Sequence, residues 1–176
     1  MKVVINIFGP STAGKSTVSE LLQERIERLY TVDFDVIKRQ LAGYYWKRDA
    51  EIARDLTYET LRSVSMTELP ILALLPTPKD KTEYNRIVDI ARQTKRKLLN
   101  IEITAPDEVL IQRYEERLKA IKASGSTWKF KTLDEFKEKL AQRYYIPTDV
   151  QTFDSSVSSP QGIVDRIMKI IEEGAK

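Results

Sequence analysis

The chain has 176 residues, of which 41% are apolar and 31% are charged, and its formal net charge is +3. This composition is typical of a globular protein and excludes a disordered chain. There is no cysteine and no histidine, which excludes disulfides, thiolate nucleophiles, Ser-His-Asp triads and metal sites built on either residue. The chemistry open to the chain therefore rests on carboxylates, hydroxyls, lysine, arginine, backbone amides and a hard metal ion.

No stretch of the sequence predicts a membrane segment or a secretion signal. The longest purely apolar run, residues 71–75, is far shorter than the roughly 20 residues that span a bilayer. The first nine residues lack the apolar core and cleavage site of a signal peptide. We therefore expect a cytoplasmic protein with no membrane partner. The small positive charge is compatible with anionic substrates but too weak to predict nucleic-acid binding.

Short apolar runs alternate with helical periodicity along the chain, a pattern typical of a parallel α/β sheet. Five strands are predicted, at residues 3–8, 31–34, 69–75, 98–104 and 150–153. Helices between them are predicted from apolar stripes at helical spacing, which begin at Val18, Val36, Ile52, Tyr84, Val109, Phe136 and Ile163. We therefore expect one doubly wound α/β domain over residues 1–176, with a five-stranded parallel sheet.

Residues 123–146 interrupt this alternation and are expected to form a helical lid. Thr132 and Glu135 have the spacing of a capping box at the start of a helix. The segment is basic, with Lys129 and Lys131 beside Trp128. Three interpretations of these charges are open: the lid closes over a nucleotide, its basic surface contacts nucleic acid, or the lysines are simply solvated.

Residues 9–16 read Gly-Pro-Ser-Thr-Ala-Gly-Lys-Ser and match the pattern G-x-x-x-x-G-K-[ST] at every fixed position. This phosphate-binding loop lies between an apolar strand and an amphipathic helix, as the pattern requires. Its backbone N–H groups are expected to point at phosphate oxygens, with Lys15 reaching the β- and γ-phosphates and Ser16 helping to hold Mg²⁺. The residues predicted to bind ATP are Gly9, Ser11, Thr12, Ala13, Gly14, Lys15, Ser16 and Thr17.

A phosphate-binding loop alone does not distinguish a switch GTPase, a motor ATPase and a kinase. No Asn-Lys-x-Asp stretch occurs, so the usual guanine-reading motif is missing, and the chain is short for a motor. A small kinase is the remaining interpretation. Asp33 and Asp35 support it, because they follow the second predicted strand and the carboxyl end of a parallel sheet opens into the ligand crevice.

The two aspartates have different predicted roles. Asp35 is predicted to activate an acceptor hydroxyl, and the alternative is that it caps the next helix. Asp33 is predicted to contribute to the acceptor site and to Mg²⁺ binding, and the alternative is a merely solvated side chain.

Together with the phosphate-binding loop, residues 32–39 and 101–117 make the chain resemble the P-loop kinases. Within them it looks most like the polynucleotide kinase, chloramphenicol phosphotransferase and zeta-toxin-like group. Phe153-Asp154-Ser155-Ser156 before the last predicted helix is similar to the end of that core. The resemblance implies a five-stranded parallel sheet, use of ATP with Mg²⁺, and a mobile lid that carries arginines.

The resemblance also implies roles for single residues. Asp35 matches the acceptor-activating aspartate, and Lys38 or Arg39 matches a basic residue that often touches substrate. Arg113 and Arg117 match catalytic arginines near the lid that contact ATP phosphates or stack near the base, and a guanidinium suits the spread charge of a phosphoryl transition state. The alternative for both is an exposed helix face with Glu–Arg pairs.

The acceptor side of the site is less well defined by the sequence. Tyr44, in an aromatic run beside Lys47 and Arg48, is predicted to stack on an acceptor base or, equally, to pack against the protein.

One feature departs from the P-loop kinase pattern. The third strand of that group usually ends in an acid that orders Mg²⁺, whereas here residues 74–77 read Leu-Leu-Pro-Thr. Either Asp33 or Asp35 supplies the carboxylate, or Ser16 and the nucleotide hold the metal alone.

The expected function is an ATP- and Mg²⁺-dependent kinase that acts on a hydroxyl of a small, nucleoside- or nucleotide-like acceptor. A polynucleotide 5′-hydroxyl kinase, with nucleic acid as the acceptor, and a non-catalytic ATP-binding regulatory module are the alternatives. The sequence leaves the acceptor, the pathway and the oligomeric state open.

Overall fold

Twelve helices and strands lie in the part of the chain that the computed structural model describes, residues 2–124, 132–142 and 144–173. The strands are β1 (Val3–Phe8), β2 (Tyr30–Asp33), β3 (Ile71–Leu74), β4 (Lys97–Thr104) and β5 (Val150–Asp154). The helices are α1 (Lys15–Arg25), α2 (Phe34–Gln40), α3 (Trp46–Ser65), α4 (Lys81–Gln93), α5 (Asp107–Ala123), α6 (Leu133–Ala141) and α7 (Pro160–Glu173).

The five strands form one parallel sheet in the order β2-β3-β1-β4-β5. The predicted five-stranded parallel α/β fold is therefore confirmed. The connection that leaves the central strand β1 runs to β2 on one side of it, whereas the connections that leave its neighbours β3 and β4 run towards the other side, to β4 and β5. The carboxyl end of β1 is consequently a topological switch point, which is where open α/β sheets bind their ligands.

Both faces are covered at the centre of the sheet, which explains why β1 and β3 read as almost continuous apolar runs, whereas the edge strands β2 and β5 are more exposed and more polar. All six residues of β1 are buried. Val3, Ile5 and Ile7 pack with side chains of α1 and α7 in one cluster. Val4 packs on the opposite face, in a second cluster with Tyr58 of α3 and residues of α4.

Several element boundaries differ from the prediction for local physical reasons. Phe34 was expected in the second strand, but α2 begins there because Asp33 caps the helix. Helix α1 ends at Arg25, and Arg28 then takes a left-handed backbone conformation with φ of 59°, which breaks the helical stripe before Leu29. The capping box of Thr132 and Glu135 is present at the start of α6, as predicted.

The predicted lid, residues 123–146, falls partly outside the described residues. Lys129, Lys131 and Trp128 belong to the part that is not described, whereas α6 is described throughout. Over the described ranges, no helix combines the length and the apolar character needed to cross a bilayer.

Candidate active site

The phosphate-binding loop leaves the carboxyl end of β1 and leads directly into α1. Two glycines give it its shape. Gly9 has φ of 133°, and a Cβ atom there would lie 2.0 Å from the carbonyl oxygen of Ile103 in β4, so only glycine fits. Gly14 has φ of 97°, in the left-handed region, and is the N-cap residue of α1. The two glycines of the sequence motif therefore occupy positions where a side chain is excluded or strained, and Thr12 between them also has a positive φ, of 66°.

The first backbone N–H groups of α1 donate to no acceptor in the described part of the chain. No side chain caps the helix and no acidic residue lies in its first turn. The N–H groups of Gly14, Lys15 and Ser16 have no acceptor among the described residues. Unpaired N–H groups at the positive end of a helix dipole attract an anion, and phosphate is the anion that this loop pattern binds.

Lys15 folds back over the loop. Its Nζ donates to the carbonyl oxygens of Gly9 at 2.9 Å and Pro10 at 2.7 Å. Burial lowers the pKa of Lys15 to about 8, the nearby charge of Asp35 opposes this, and Arg117 adds to it. A lysine of this kind gains from a phosphate, because the phosphate charge stabilises its protonated form.

Asp33 and Asp35 lie at the end of β2 and the start of α2, and the charges of both raise the pKa of Lys15. Asp33, not Asp35, is the N-cap of α2: its Oδ1 accepts the backbone N–H of Asp35 at 2.6 Å. Asp35 lies in the first turn of that helix, and 58% of its side-chain surface is exposed. The helix cap that was considered as an alternative role for Asp35 therefore belongs to Asp33.

The two carboxyl groups are shifted in opposite directions. Burial raises the pKa of Asp33, and the N–H that it accepts from Asp35 limits the rise. Burial also acts to raise the pKa of Asp35, but the positive charges of Lys38, Lys15 and Arg39 outweigh it and hold the pKa below its usual value. The pKa of Asp35 therefore lies below, and that of Asp33 above, the ordinary value of an aspartate.

Basic and aromatic side chains lie close to Asp35 and Lys38. Lys38 forms an ion pair with Asp35, and its Nζ lies 4.7 Å from the ring centre of Phe34 and 5.8 Å from that of Tyr44. Burial raises the pKa of Tyr44, and the charge of Asp35 raises it further. Of the residues predicted on the acceptor side, the structure brings Asp35, Lys38 and Tyr44 into contact or close electrostatic range, with Asp33 and Arg39 beside them.

The two arginines of α5 occupy different positions. Arg113 donates to Ser155 Oγ at 2.9 Å, to the Ser155 carbonyl oxygen at 3.0 Å and to the Thr12 carbonyl oxygen at 3.4 Å. It therefore links the phosphate-binding loop to the loop that follows β5. Arg117 lies near enough to Lys15 to lower its pKa.

The side chains near the loop are compatible with a Mg²⁺ ion that is held mainly by the nucleotide and by water, with few ligands from the protein. The described chain contains no group of three or more acidic side chains placed to hold a metal. Mg²⁺ usually keeps several waters and takes one or two carboxylates plus substrate phosphates, so a hydroxyl and a carboxylate such as those of Ser16 and Asp33 are of the chemical type that a magnesium nucleotide needs. At the end of β3, Thr77 donates through Oγ1 to the Gly9 carbonyl oxygen at 3.1 Å.

Sequence reasoning missed several residues around the site. Thr77 and Ser155 were quoted only as parts of longer segments, without their contacts to Gly9 and Arg113. Lys139 of α6 was not singled out although its charge lowers the pKa of Lys15. Glu102 did carry a signal, as an acid inside an apolar strand. It is 5% exposed and accepts the Tyr144 hydroxyl at 2.6 Å, which ties the chain after α6 to the sheet.

Comparison with known proteins agrees with this geometry. The sequence matches the AAA domain family over residues 4–143, and no curated protein matches it. A candidate kinase from Chloroflexus aurantiacus has a TM-score of 0.74 at 15% identity, covering 95% of this chain and 97% of its own. A gluconokinase from Sinorhizobium meliloti has a TM-score of 0.65 at 15% identity, covering 99% and 98%.

A third structure, the APS kinase of Mycobacterium tuberculosis in complex with AMPPNP and APS, has a TM-score of 0.61 at 17% identity and covers 97% of both chains. Identities this low establish the fold alone. The expected P-loop kinase fold is confirmed, whereas the narrower polynucleotide kinase group is not distinguished from other P-loop kinases. Because the family match spans most of the chain, the protein belongs to the AAA domain family and is built on the fold that P-loop kinases share.

Proposed function

We propose that the protein is an ATP- and Mg²⁺-dependent kinase that transfers the γ-phosphate to a hydroxyl of a small, nucleoside- or nucleotide-like acceptor. One observation carries the proposal: the uncapped amino end of α1, with Lys15 at its first position, and the start of α2, with Asp35, both follow the carboxyl ends of strands of one parallel sheet. The pKa of Lys15 responds to the charges of Asp35 and Arg117. A phosphate-binding helix end, a carboxylate and two cations therefore converge at one end of the sheet. This is the set of groups that phosphoryl transfer requires, since its catalysis is mostly positioning and charge stabilisation.

The acceptor hydroxyl is oriented by Asp35 in this proposal. A carboxylate with a lowered pKa is a weak base, so Asp35 acts first as a hydrogen-bond acceptor that aims the hydroxyl oxygen at the γ-phosphorus. It takes the proton as the new P–O bond forms and the bond to the β,γ-bridging oxygen breaks. For this to happen Asp35 has to exchange its ion pair with Lys38 for the acceptor hydroxyl.

The cations stabilise the charge that spreads over the transferred group. Lys15 donates to the phosphates, and Arg117 and Lys139 approach from the side of α5 and α6. We propose that residues 123–146 act as the lid that excludes water when both substrates are bound. Mg²⁺, when bound, neutralises charge on the β- and γ-phosphates, and Ser16 and Asp33 would hold it.

Support for a small acceptor comes from two sources. The acceptor side combines the aromatic rings of Phe34 and Tyr44 with the cation of Lys38, which suits a flat or hydroxylated molecule that bears an anion. The gluconokinase and the APS kinase, by their names, act on small molecules.

The experiment that tests the proposal is phosphoryl transfer from γ-labelled ATP to a panel of nucleosides, nucleotides, sugar acids, oligonucleotides and chloramphenicol-like acceptors. Acceptor-dependent label transfer by the unaltered chain, lost in Lys15→Ala, supports it. Label that goes only to water, at a rate no acceptor changes, refutes it.

A polynucleotide 5′-hydroxyl kinase is the finer alternative that the sequence resemblance favours. Transfer to an oligonucleotide end should then fall steeply with salt, because phosphate contacts release counterions. Transfer to a neutral nucleoside should depend far less on salt.

A non-catalytic ATP-binding module is the alternative from another class. It is favoured by Thr77, which stands beside the loop where an acid was expected. ATP binding without acceptor-dependent ADP release across the whole panel would support this alternative.

A further inference from the structure

Tyr144 joins the chain after α6 to the end of the strand that leads into the phosphate-binding loop. Its hydroxyl donates to Glu102 of β4 at 2.6 Å, and its ring meets the ring of Phe8 edge to face, with 6.4 Å between the ring centres. Phe8 and Glu102 are neighbours across the sheet, since they are paired in the register of β1 and β4. Phe8 is the last residue of β1, and Gly9 of the loop follows it. One side chain therefore contacts both strands beside the loop.

The burial of Glu102 makes this contact important. Glu102 lies between Ile101 and Ile103 in β4, and its two carboxylate oxygens accept one hydroxyl each, from Tyr144 and, at 2.8 Å, from Thr152 of β5. A buried carboxylate that lacks hydrogen bonds is costly. Burial, together with the hydrogen bond to Glu102 and its charge, raises the pKa of Tyr144, which keeps the hydroxyl protonated as a donor. The hydrogen bond thus fixes position 144 to the sheet.

A second contact attaches α6 to α5. The ring of Phe136 is stacked on the ring of Tyr114 in α5, with the ring centres 4.0 Å apart and an angle of 6° between the planes. A single stack fixes the distance between two helices but lets one of them turn about it, so the orientation of α6 depends on another anchor. Tyr144, three residues after the end of α6, supplies that anchor.

Lys139 lies between these two anchors along the chain. It follows Phe136 by three positions, so the two side chains leave α6 from nearly the same face. Its charge lowers the pKa of Lys15, the lysine of the phosphate-binding loop. The orientation of α6 therefore decides how close this cation comes to the phosphate site.

We propose that Tyr144 is a positioning residue for nucleotide binding, which acts through Lys139. By holding the chain after α6 against Phe8 and Glu102, it keeps the ammonium group of Lys139 within reach of the phosphates. The inference rests on the proposed function only in that a nucleoside triphosphate must bind at Lys15. It requires no transfer of phosphate.

The test combines two substitutions. Tyr144→Phe removes the hydroxyl and keeps the ring, and Lys139→Gln removes the charge. ATP affinity is measured by calorimetry, without any acceptor, for each variant and for the two combined. We expect Lys139→Gln to weaken ATP binding about tenfold and Tyr144→Phe about threefold. The combined variant should bind ATP no more weakly than Lys139→Gln alone, because the effects of residues that act through one another do not add.

Thr152→Val is the matched control, because it removes the hydroxyl that binds the other oxygen of Glu102. Thr152→Val and Tyr144→Phe should both lower the melting temperature by a few degrees, since each leaves Glu102 with one hydrogen bond fewer. Only Tyr144→Phe should weaken ATP binding. A merely structural role of the Glu102 hydrogen bonds would instead give the two variants the same ATP affinity.

Three results would overturn the inference: unchanged ATP affinity in Tyr144→Phe or Lys139→Gln, a further loss of the same size when Tyr144→Phe is added to Lys139→Gln, or an equal loss in Thr152→Val. Failure of the unaltered chain to bind ATP would overturn both this inference and the proposed function. The expected pattern in a protein that phosphorylates no acceptor would support the inference and refute the kinase.

Discussion

Asp33 Oδ1 accepts the backbone N–H of Asp35 at 2.6 Å, so one carboxylate shapes the start of α2 and thereby places the other. Asp33 is half-buried and Asp35 is exposed. Asp33 uses its carboxylate to cap α2, which leaves the carboxylate of Asp35 available for the proposed acceptor hydroxyl. One aspartate side chain could not do both. Substitutions at the two positions should consequently have different signatures.

Asp35→Asn should lower phosphoryl transfer about 10²- to 10⁴-fold, the usual contribution of a positioned acid–base group. ATP affinity should stay within about twofold, because the amide preserves the shape of the side chain and lies on the acceptor side. Single-turnover transfer and ATP calorimetry measure the two effects. Asp89→Asn, on α4 and paired with Arg92, is the control and should change neither. Undiminished transfer in Asp35→Asn would remove this residue from the mechanism.

Asp33→Ala should destabilise the protein by about 1 kcal/mol, because it removes the N-cap of α2. Asp33→Asn is the matched variant, since asparagine caps helices as well as aspartate but carries no charge. Chemical denaturation measures the stability of both. If Asp33 also holds Mg²⁺, both variants should need more Mg²⁺ for half-maximal activity. An unchanged Mg²⁺ requirement in Asp33→Asn would restrict this residue to capping.

ATP binding should take up a proton above pH 8. Burial lowers the pKa of Lys15 to about 8 in the free protein, and phosphate contacts raise it again. Above pH 8 the free lysine is mostly neutral and the bound lysine charged, so ATP affinity should fall as the pH rises, by at most about tenfold per pH unit for one proton. Below pH 7 Lys15 is protonated in both states and should contribute no dependence.

Calorimetry in buffers of different ionisation enthalpy measures this uptake directly. Lys15→Arg is the control, because a guanidinium stays charged throughout the interval from pH 8 to 10. Proton uptake of equal size in Lys15→Arg would show that another group is responsible.

The sequence predicted the parts of the site that depend on neighbouring residues in the chain. Gly9 and Gly14 are needed for the backbone of one short loop, and their spacing from Lys15 is local. Strands β1 and β3 could also be predicted, because strands buried on both faces read as apolar runs. Where local signals competed, the prediction was less accurate: a cap at Asp33 and a strand through Phe34 cannot both form, and the cap prevails.

The remaining features depend on contacts between distant parts of the chain. Thr77 meets Gly9 across 68 positions, and Arg113 meets Ser155 across 42. The periodicity of the sequence does not predict such pairs, because each depends on how two distant segments come together at the carboxyl end of the sheet. The lowered pKa of Lys15 has the same origin, since it reflects burial by the folded chain.

Arg113→Lys should weaken ATP binding although the positive charge is kept. The guanidinium of Arg113 donates to Ser155 at two atoms and reaches the Thr12 carbonyl oxygen, so it braces the phosphate-binding loop against the loop after β5. Lysine has a single donor group and cannot make this fork. We expect about a tenfold loss of ATP affinity by calorimetry, and a smaller loss in Ser155→Ala, which removes the Oγ contact and keeps the carbonyl.

Arg92→Lys, on the exposed face of α4, is the matched control for Arg113→Lys. Equal ATP affinities in Arg113→Lys and Arg92→Lys would mean that charge alone, and not the braced geometry, is what Arg113 contributes.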